Sequence, residues 1–279
     1  GGISQTNWLG TQSIQFTPRD TGNHNMNFFA AYEAQKVKTR TIELRGEGFS
    51  HPDLKFAASA ANPTQAYSAR SDYAFQSYFA RANYDYNSEY FLSMSFRRDG
   101  SSRFGPDQRW GTFGSIGVGW NMTRLIESVG VIDFLKLRGS FGTTGNAGIG
   151  NFDWAGLWGF TRDYDGNPGA APSQVSNNLL TWESQENFNI GIDATFLNNK
   201  ITFNAEYFER LSSDLLLDRP LSLTTGFTSV AQNIGDMKNS GIEIDLGIDI
   251  IQTSEAFLGV NFNTTTLKNE ITYLPEPIV

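Results

Sequence analysis

Tyr78-Phe79-Ala80-Arg81-Ala82-Asn83-Tyr84-Asp85-Tyr86, then Asn87-Ser88-Glu89, then Tyr90-Phe91-Leu92-Ser93-Met94-Ser95-Phe96-Arg97-Arg98: this stretch decides the fold. Its side chains alternate with a period of two, as successive residues of a strand must. Tyr78, Ala80, Ala82, Tyr84 and Tyr86 share one face, and Phe79, Arg81, Asn83 and Asp85 share the other. Across the short gap, Tyr90, Leu92, Met94 and Phe96 oppose Phe91, Ser93, Ser95 and Arg97. Two such runs joined by a tight turn read as an antiparallel hairpin with one apolar and one wet face.

The same alternation recurs outward from there. It predicts strands at 12–17, 26–37, 39–49, 75–86, 90–98, 110–120, 134–142, 187–197, 200–209, 240–251 and 256–266, about eleven in all. Only Arg124 to Phe134 has room for a short helical turn. Tight links at 87–89, 198–199 and 252–255 alternate with long ones at 50–74, 99–109, 143–186 and 210–239. Short turns on one side and long loops on the other match the plan of an outer-membrane barrel.

Composition does not contradict that plan. The chain has 279 residues, 39% apolar and 14% aromatic, with no cysteine and a net charge of -8. Mean hydropathy is -0.35, but a membrane barrel exposes only every second residue to lipid and gives a weak hydropathy signal. The acidic balance argues against nucleic acid as a partner. Eleven strands exceed the roughly eight that side chains can fill, so a lumen is expected. Aromatics at Tyr84, Tyr86, Tyr90, Phe91, Trp110, Trp120, Phe196 and Tyr207 crowd the strand ends, where an interfacial girdle would place them. The expected fold is therefore all-β, an antiparallel up-and-down transmembrane barrel segment. A soluble barrel or sandwich with the apolar face inward remains the alternative.

Catalytic chemistry finds no foothold. His24 and His51 are the only histidines, too few for a His-based triad or a zinc site. The Gly-rich run 142–150 lacks phosphate-loop spacing and reads as a flexible loop. Asp163 to Asn167 resembles the start of a calcium loop, yet its twelfth position is Gln174. No catalytic residue, metal or cofactor is assigned. Arg97, Arg98 and Arg103 lie in the stretch RRDGSSRFG, where turn chemistry outweighs an anion grip. Alternation marks Arg81, Asn83, Asp85, Arg97, Lys136, Arg138, Asp193, Asn204, Glu206, Glu243, Asp245 and Asp249 as lumen-facing candidates. Trp154, Trp158, Phe160 and Tyr164, in a long loop, are candidates to stack on a ligand at the mouth.

Several ordered blocks carry a family resemblance. The run ARANYDYNSEYFLSMSFRRDGSSRFG ending at Gly105, the segment Trp110 to Trp120, and LKLRGSFGTTGN at Leu135 to Asn146 are similar to the SusC/RagA family of TonB-dependent outer-membrane transporters. LTWESQENFNIGID at Leu180 to Asp193 and RPLSLTTGFTSVAQNIGDMKNSGIEI at Arg219 to Ile244 continue the resemblance, which covers about residues 75 to 270. It implies a barrel of 22 strands around an N-terminal plug, TonB as the energy source and a SusD-like lipoprotein as lid. It further implies outer-membrane localisation, contact with lipid, and active import of an oligosaccharide or peptide. Residues 1–279 are then expected to be a partial barrel domain, with plug, signal peptide and barrel C-terminus outside it. Such a fragment alone, with two open sheet edges in lipid, is expected neither to insert nor to transport. A soluble or surface carbohydrate-binding β domain and an outer-membrane enzyme barrel are the competing readings.

Overall fold

The structure is a computed structural model that describes residues 1–19, 22–54, 56–126 and 130–275, with the backbone alone at 161. Its strands are β1 (Gly2–Phe16), β2 (His24–Phe49), β3 (Ala60–Tyr86), β4 (Tyr90–Ser101), β5 (Trp110–Asn121), β6 (Ile132–Asn146), β7 (Leu157–Tyr164) and β8 (Asn167–Gln174). They continue as β9 (Glu183–Phe196), β10 (Ile201–Ser213), β11 (Leu216–Pro220), β12 (Ser229–Asn233), β13 (Asp236–Gln252) and β14 (Phe257–Tyr273). Ten form one antiparallel sheet in the order β1-β2-β3-β4-β5-β6-β9-β10-β13-β14. Neighbours in sequence are neighbours in space, with two small hairpins, β7-β8 and β11-β12, inserted in the longest connections.

The opening hairpin forms as the alternation requires, pairing Tyr86 with Tyr90 and Phe75 with Ser101. Asn87 and Ser88 both take positive φ, 56° and 55°, and the Glu89 amide donates to the Tyr86 carbonyl at 2.9 Å. Such a turn matches the right-handed twist of the strands it joins. Register then propagates the facing across the sheet: Ala82 pairs with Met94, Met94 with Ile116, and Leu92 with Val118.

Exposure decides which face looks where. Met94 (45%), Phe96 (49%), Val118 (56%) and Ile190 (55%) stand exposed on the apolar face. A soluble sandwich would bury that face; here it is the outside of a barrel wall, suited to lipid. Two aromatic tiers border it. His24, Tyr86, Tyr90 and Trp120 stack along one end, and Tyr32, Tyr78 and Trp110 along the other. Phe91 does not join them: its ring lies on the polar face beneath the Lys136 ammonium, 4.6 Å from Nζ. No helix among the described residues is long and apolar enough to cross a membrane.

Several sequence-based bounds need correction. The runs 26–37 and 39–49 are one unbroken strand, β2, so the wall has ten strands here and not eleven. Val37, Lys38 and Thr39 alternate without a turn residue, and nothing breaks the ladder there. The expected loop 50–74 is largely strand, because β3 begins at Ala60 and pairs with β2 for its whole length. Strand β1 likewise starts at Gly2, ten residues before the predicted 12. The helix is Thr123–Ile126, which begins one residue before the predicted stretch; 127–129 lie outside the described residues, and Ile132 onward is strand. The Gly-rich run opens inside β6, which reaches Asn146. The calcium-like segment is the turn of the β7-β8 hairpin: Asp165 and Gly166 take positive φ, and Asp163 Oδ1 accepts the Gly166 amide at 2.9 Å.

Candidate functional site

The polar face of the sheet carries the candidate site. Register puts Asp85, Phe91, Gly119, Arg138, Gly191, Glu206 and Glu243 in one row, and Lys136, Asp193, Asn204 and Asp245 in the next. All twelve predicted lumen candidates share this face. Arg138 is the hub of the rows: its Nε reaches Asp193 Oδ1 at 3.2 Å, and its Nη1 bonds Glu206 Oε2. To do so the guanidinium must cross strand β9 at Gly191, where an added Cβ would sit 2.9 Å from Arg138 Cζ. A larger residue there would push the guanidinium aside, so the bridge to Glu206 depends on this glycine, a role that alternation alone does not reveal. With its amide nitrogen assigned toward the carboxylate, Asn204 donates to Asp193 Oδ1 at 3.2 Å. One cation is thus shared by two carboxylates, one of which also accepts from an amide, which leaves a net negative belt with Glu243, Asp245 and Asp249 on the flanking strand β13.

Asn83, Asp85, Lys136 and Arg138 surround a hollow of about 580 Å³ on this face. Asp85 accepts from Asn25 Nδ2 at 2.8 Å, and Arg81 lies over the Phe29 ring at 6.0 Å. A larger hollow, about 880 Å³, lies beyond it toward the long loops. Its floor is small and hydroxylic, with Ser93, Ser95, Ser115 and Ser140, and its rim holds Arg97, Phe113 and Trp182. Arg97 Nε is held by both oxygens of the buried Asp99, at 2.8 and 2.6 Å, so the pair enters the hollow with no net charge.

Above the hollow the long connections fold together. Phe104, Ala147, Leu180 and Trp182 form a buried cluster, with Phe75, Phe113 and Trp154 packed against it. Trp182 Nε1 donates to the Arg109 carbonyl at 3.0 Å. Asn233 makes a reciprocal pair with Thr181, accepting its amide and donating to its carbonyl, each at 2.8 Å. Asn177 Nδ2 adds a bond to the Ala231 carbonyl at 2.8 Å.

The three arginines of RRDGSSRFG separate. Arg97 is held by Asp99, Arg98 lies over the Trp110 ring at 5.3 Å on the opposite face, and Arg103 covers Tyr73 at 4.3 Å while bonding Asn151 and the Ala147 carbonyl. They serve structure and form no common anion grip. The loop aromatics separate too. Trp154 packs against the buried cluster, whereas Trp158, Phe160 and Tyr164 are 59%, 76% and 83% exposed on β7. Register shifts on both sides of Trp158 and Gly159 break the alternation, so pairing does not set these three in one row. Sequence reasoning missed the serine floor, although the residues opposite Leu92 and Met94 signalled it. It also missed the Phe104-Leu180-Trp182 cluster, whose members are too far apart in sequence to show a period.

Comparison with known proteins agrees with this geometry. The profile described as "TonB dependent receptor-like, beta-barrel" matches residues 2–277. TonB-dependent receptor SusC of Bacteroides thetaiotaomicron is 34% identical over 197 residues, 67% of this chain and 20% of that protein. TonB-dependent receptor P39 of Formosa agariphila is 35% identical over 193 residues, 68% of this chain and 19% of its own length. The chain thus spans about a fifth of these relatives. The structure of the RagAB peptide transporter superposes with a TM-score of 0.89 at 27% identity, covering 98% of this chain and 31% of that one. The relatives named are two TonB-dependent receptors and a peptide transporter. The chain belongs to the TonB dependent receptor-like β-barrel family, in its SusC/RagA group, and its ten-stranded sheet is a stretch of outer-membrane barrel wall.

Proposed function

We propose that this chain forms part of the wall of an active importer of nutrient oligomers, glycan or peptide, energised through TonB and working with a SusD-like lipoprotein lid. One observation carries this reading: nearly the whole chain, hairpin-bearing loops included, follows the RagAB fold, and RagAB is a peptide transporter. In this reading Arg81, Asn83, Asp85, Arg97, Lys136, Arg138, Asp193, Asn204, Glu206, Glu243, Asp245 and Asp249 line the lumen. They meet water, a plug or a passing ligand. Trp158, Phe160 and Tyr164 stand at the mouth, where exposed rings suit stacking on a captured ligand. Trp154 is left out, because it packs inward.

Deleting the gene and growing the strain on single candidate polymers or peptides tests the proposal, alongside uptake of labelled oligomers and a hydrolase assay on the purified protein. The expected result is loss of growth and uptake on one class of oligomer, restored by the intact gene, with no hydrolysis by the protein. Unchanged uptake of every oligomer, or hydrolysis by the purified barrel, overturns it.

A further inference from the structure

The outer face of β2 and β3 changes character at one level. Up to Tyr32 and Tyr78 it is apolar and aromatic; from there the uninterrupted register carries Lys36, Lys38 and Arg40 on the same face, with Arg70 opposite Arg40 on β3. Lys36, Lys38, Arg40 and Arg70 are all exposed. Their rung begins four residues beyond Tyr32, roughly 13 Å along the strand, which for a tilted strand brings it to the head-group zone. Arg98 joins them from below, beside Trp110 in the aromatic tier. Arg70 is paired with Asp72, Nη2 to Oδ2 at 2.6 Å. Among the described residues, no carboxylate forms an ion pair with Lys36, Lys38 or Arg40.

The far flank of the same face is built differently. There Lys238 pairs with Glu209 at 2.8 Å and Lys268 with Glu270 at 2.7 Å, so cations and carboxylates cancel. In a chain whose net charge is -8, four cations on one ladder, Lys36, Lys38, Arg40 and Arg70, against the single carboxylate of Asp72 opposite Lys38, are a local exception. They face outward from the barrel, away from any lumen, just above the rings that mark the interface. A basic cluster at that depth meets the phosphates of lipid head groups, where each cation is worth roughly a kilocalorie of attraction.

We infer that Lys36, Lys38 and Arg40, supported by Arg70 and Arg98, bind the phosphate groups of a phosphorylated lipid in the outer leaflet. The cations supply the charge, the exposed aromatics Tyr78 and Trp110 lie one tier below against the acyl boundary, and the strand pair fixes the spacing. The interaction belongs to the outer wall and is separate from transport.

The test uses the whole protein in phosphatidylcholine nanodiscs, titrated with bisphosphorylated lipid A or with the same lipid after phosphatase treatment. Wild type is expected to retain the phosphorylated lipid and to lose it as salt rises. The K36Q/K38Q/R40Q variant is expected to bind it about 10- to 100-fold more weakly, as the loss of several surface cations predicts. Lys268→Gln, on the self-neutralised flank, should change nothing. Heat-modified gel mobility confirms that each variant is a folded barrel. Equal retention by the folded triple variant, equal retention of the dephosphorylated lipid, or full displacement by millimolar inorganic phosphate overturns the proposal. Because no uptake is measured, these outcomes are independent of the transport reading.

Discussion

One strand lives in two environments. The lower part of β3, from Phe75 to Tyr86, has a strand on each side and a different medium on each face. Its upper part, Ala60 to Ala74, pairs with β2 alone, because β4 ends opposite Phe75. Below, Ala80, Ala82 and Tyr84 share the apolar face while Arg81, Asn83 and Asp85 share the polar one. Above, residues such as Thr64, Gln65 and Ser68 are exposed to water whichever way they point. The backbone conformation is the same throughout. What differs is the solvent at each face, and that difference, not the strand itself, writes a period of two into a sequence.

The loop cluster packs against β3 at Phe75, where the two parts meet. Truncating its keystone should have the largest effect. Trp182→Ala removes a side chain that is 8% exposed and touches Phe75, Phe104 and Phe113. A loss of about 4 kcal/mol is expected, read as a lowered denaturation midpoint of the detergent-solubilised protein. If the midpoint is unchanged, the loops are not fastened to the wall as described.

A paired substitution tests the two environments directly. Ala82 and Ala66 lie on the same face of β3, one level with the lipid and one above it. Ala82→Arg should cost about 3 kcal/mol and deplete assembled barrel from outer-membrane fractions, as a cation facing the bilayer midplane does. Ala66→Arg should leave assembly at the wild-type level. Equal effects at the two sites would erase the boundary between them.

The smallest effect is expected at Arg70→Gln. The pair it makes with Asp72 holds that carboxyl below the usual carboxylate range through its hydrogen bond, yet the arginine side chain is 66% exposed. Such exposed pairs add little to stability. Its denaturation midpoint should match wild type, and a clear drop would mean that the upper ribbon depends on charge pairing.

Legibility in the sequence follows the same boundary. Where the wall separates lipid from a wet interior, alternation alone located β4, β5, β9, β10 and β13 to within a few residues. It also assigns to one face Arg138 and Asp193, which meet at 3.2 Å. Where neither face meets the hydrocarbon, as at Ala60 to Ala74 and Gly2 to Thr11, the sequence carries no period, and strand reads as loop. The loop hairpins were hidden for another reason. β7 and β8 pair through register shifts, and β8 is Asn-Pro-Gly-Ala-Ala-Pro-Ser-Gln, a composition that resembles a turn. At the site, charged residues were legible one at a time. The glycine that lets Arg138 cross to Glu206, and the aromatic cluster joining residues 75, 104 and 182, depend on neighbours remote in sequence.

The bonds that link Asn233 to Thr181 and Asn177 to Ala231 join the two longest connections of the chain. Each connection completes the other's hydrogen bonding, so neither is a free cassette. Grafting a single loop from a relative to redirect ligand choice would strand a buried amide on one side or a carbonyl on the other. Diversification of this rim must therefore proceed by exchange of matched pairs, and recombination that splits them between Trp182 and Leu216 would yield walls that fold with a mismatched crown.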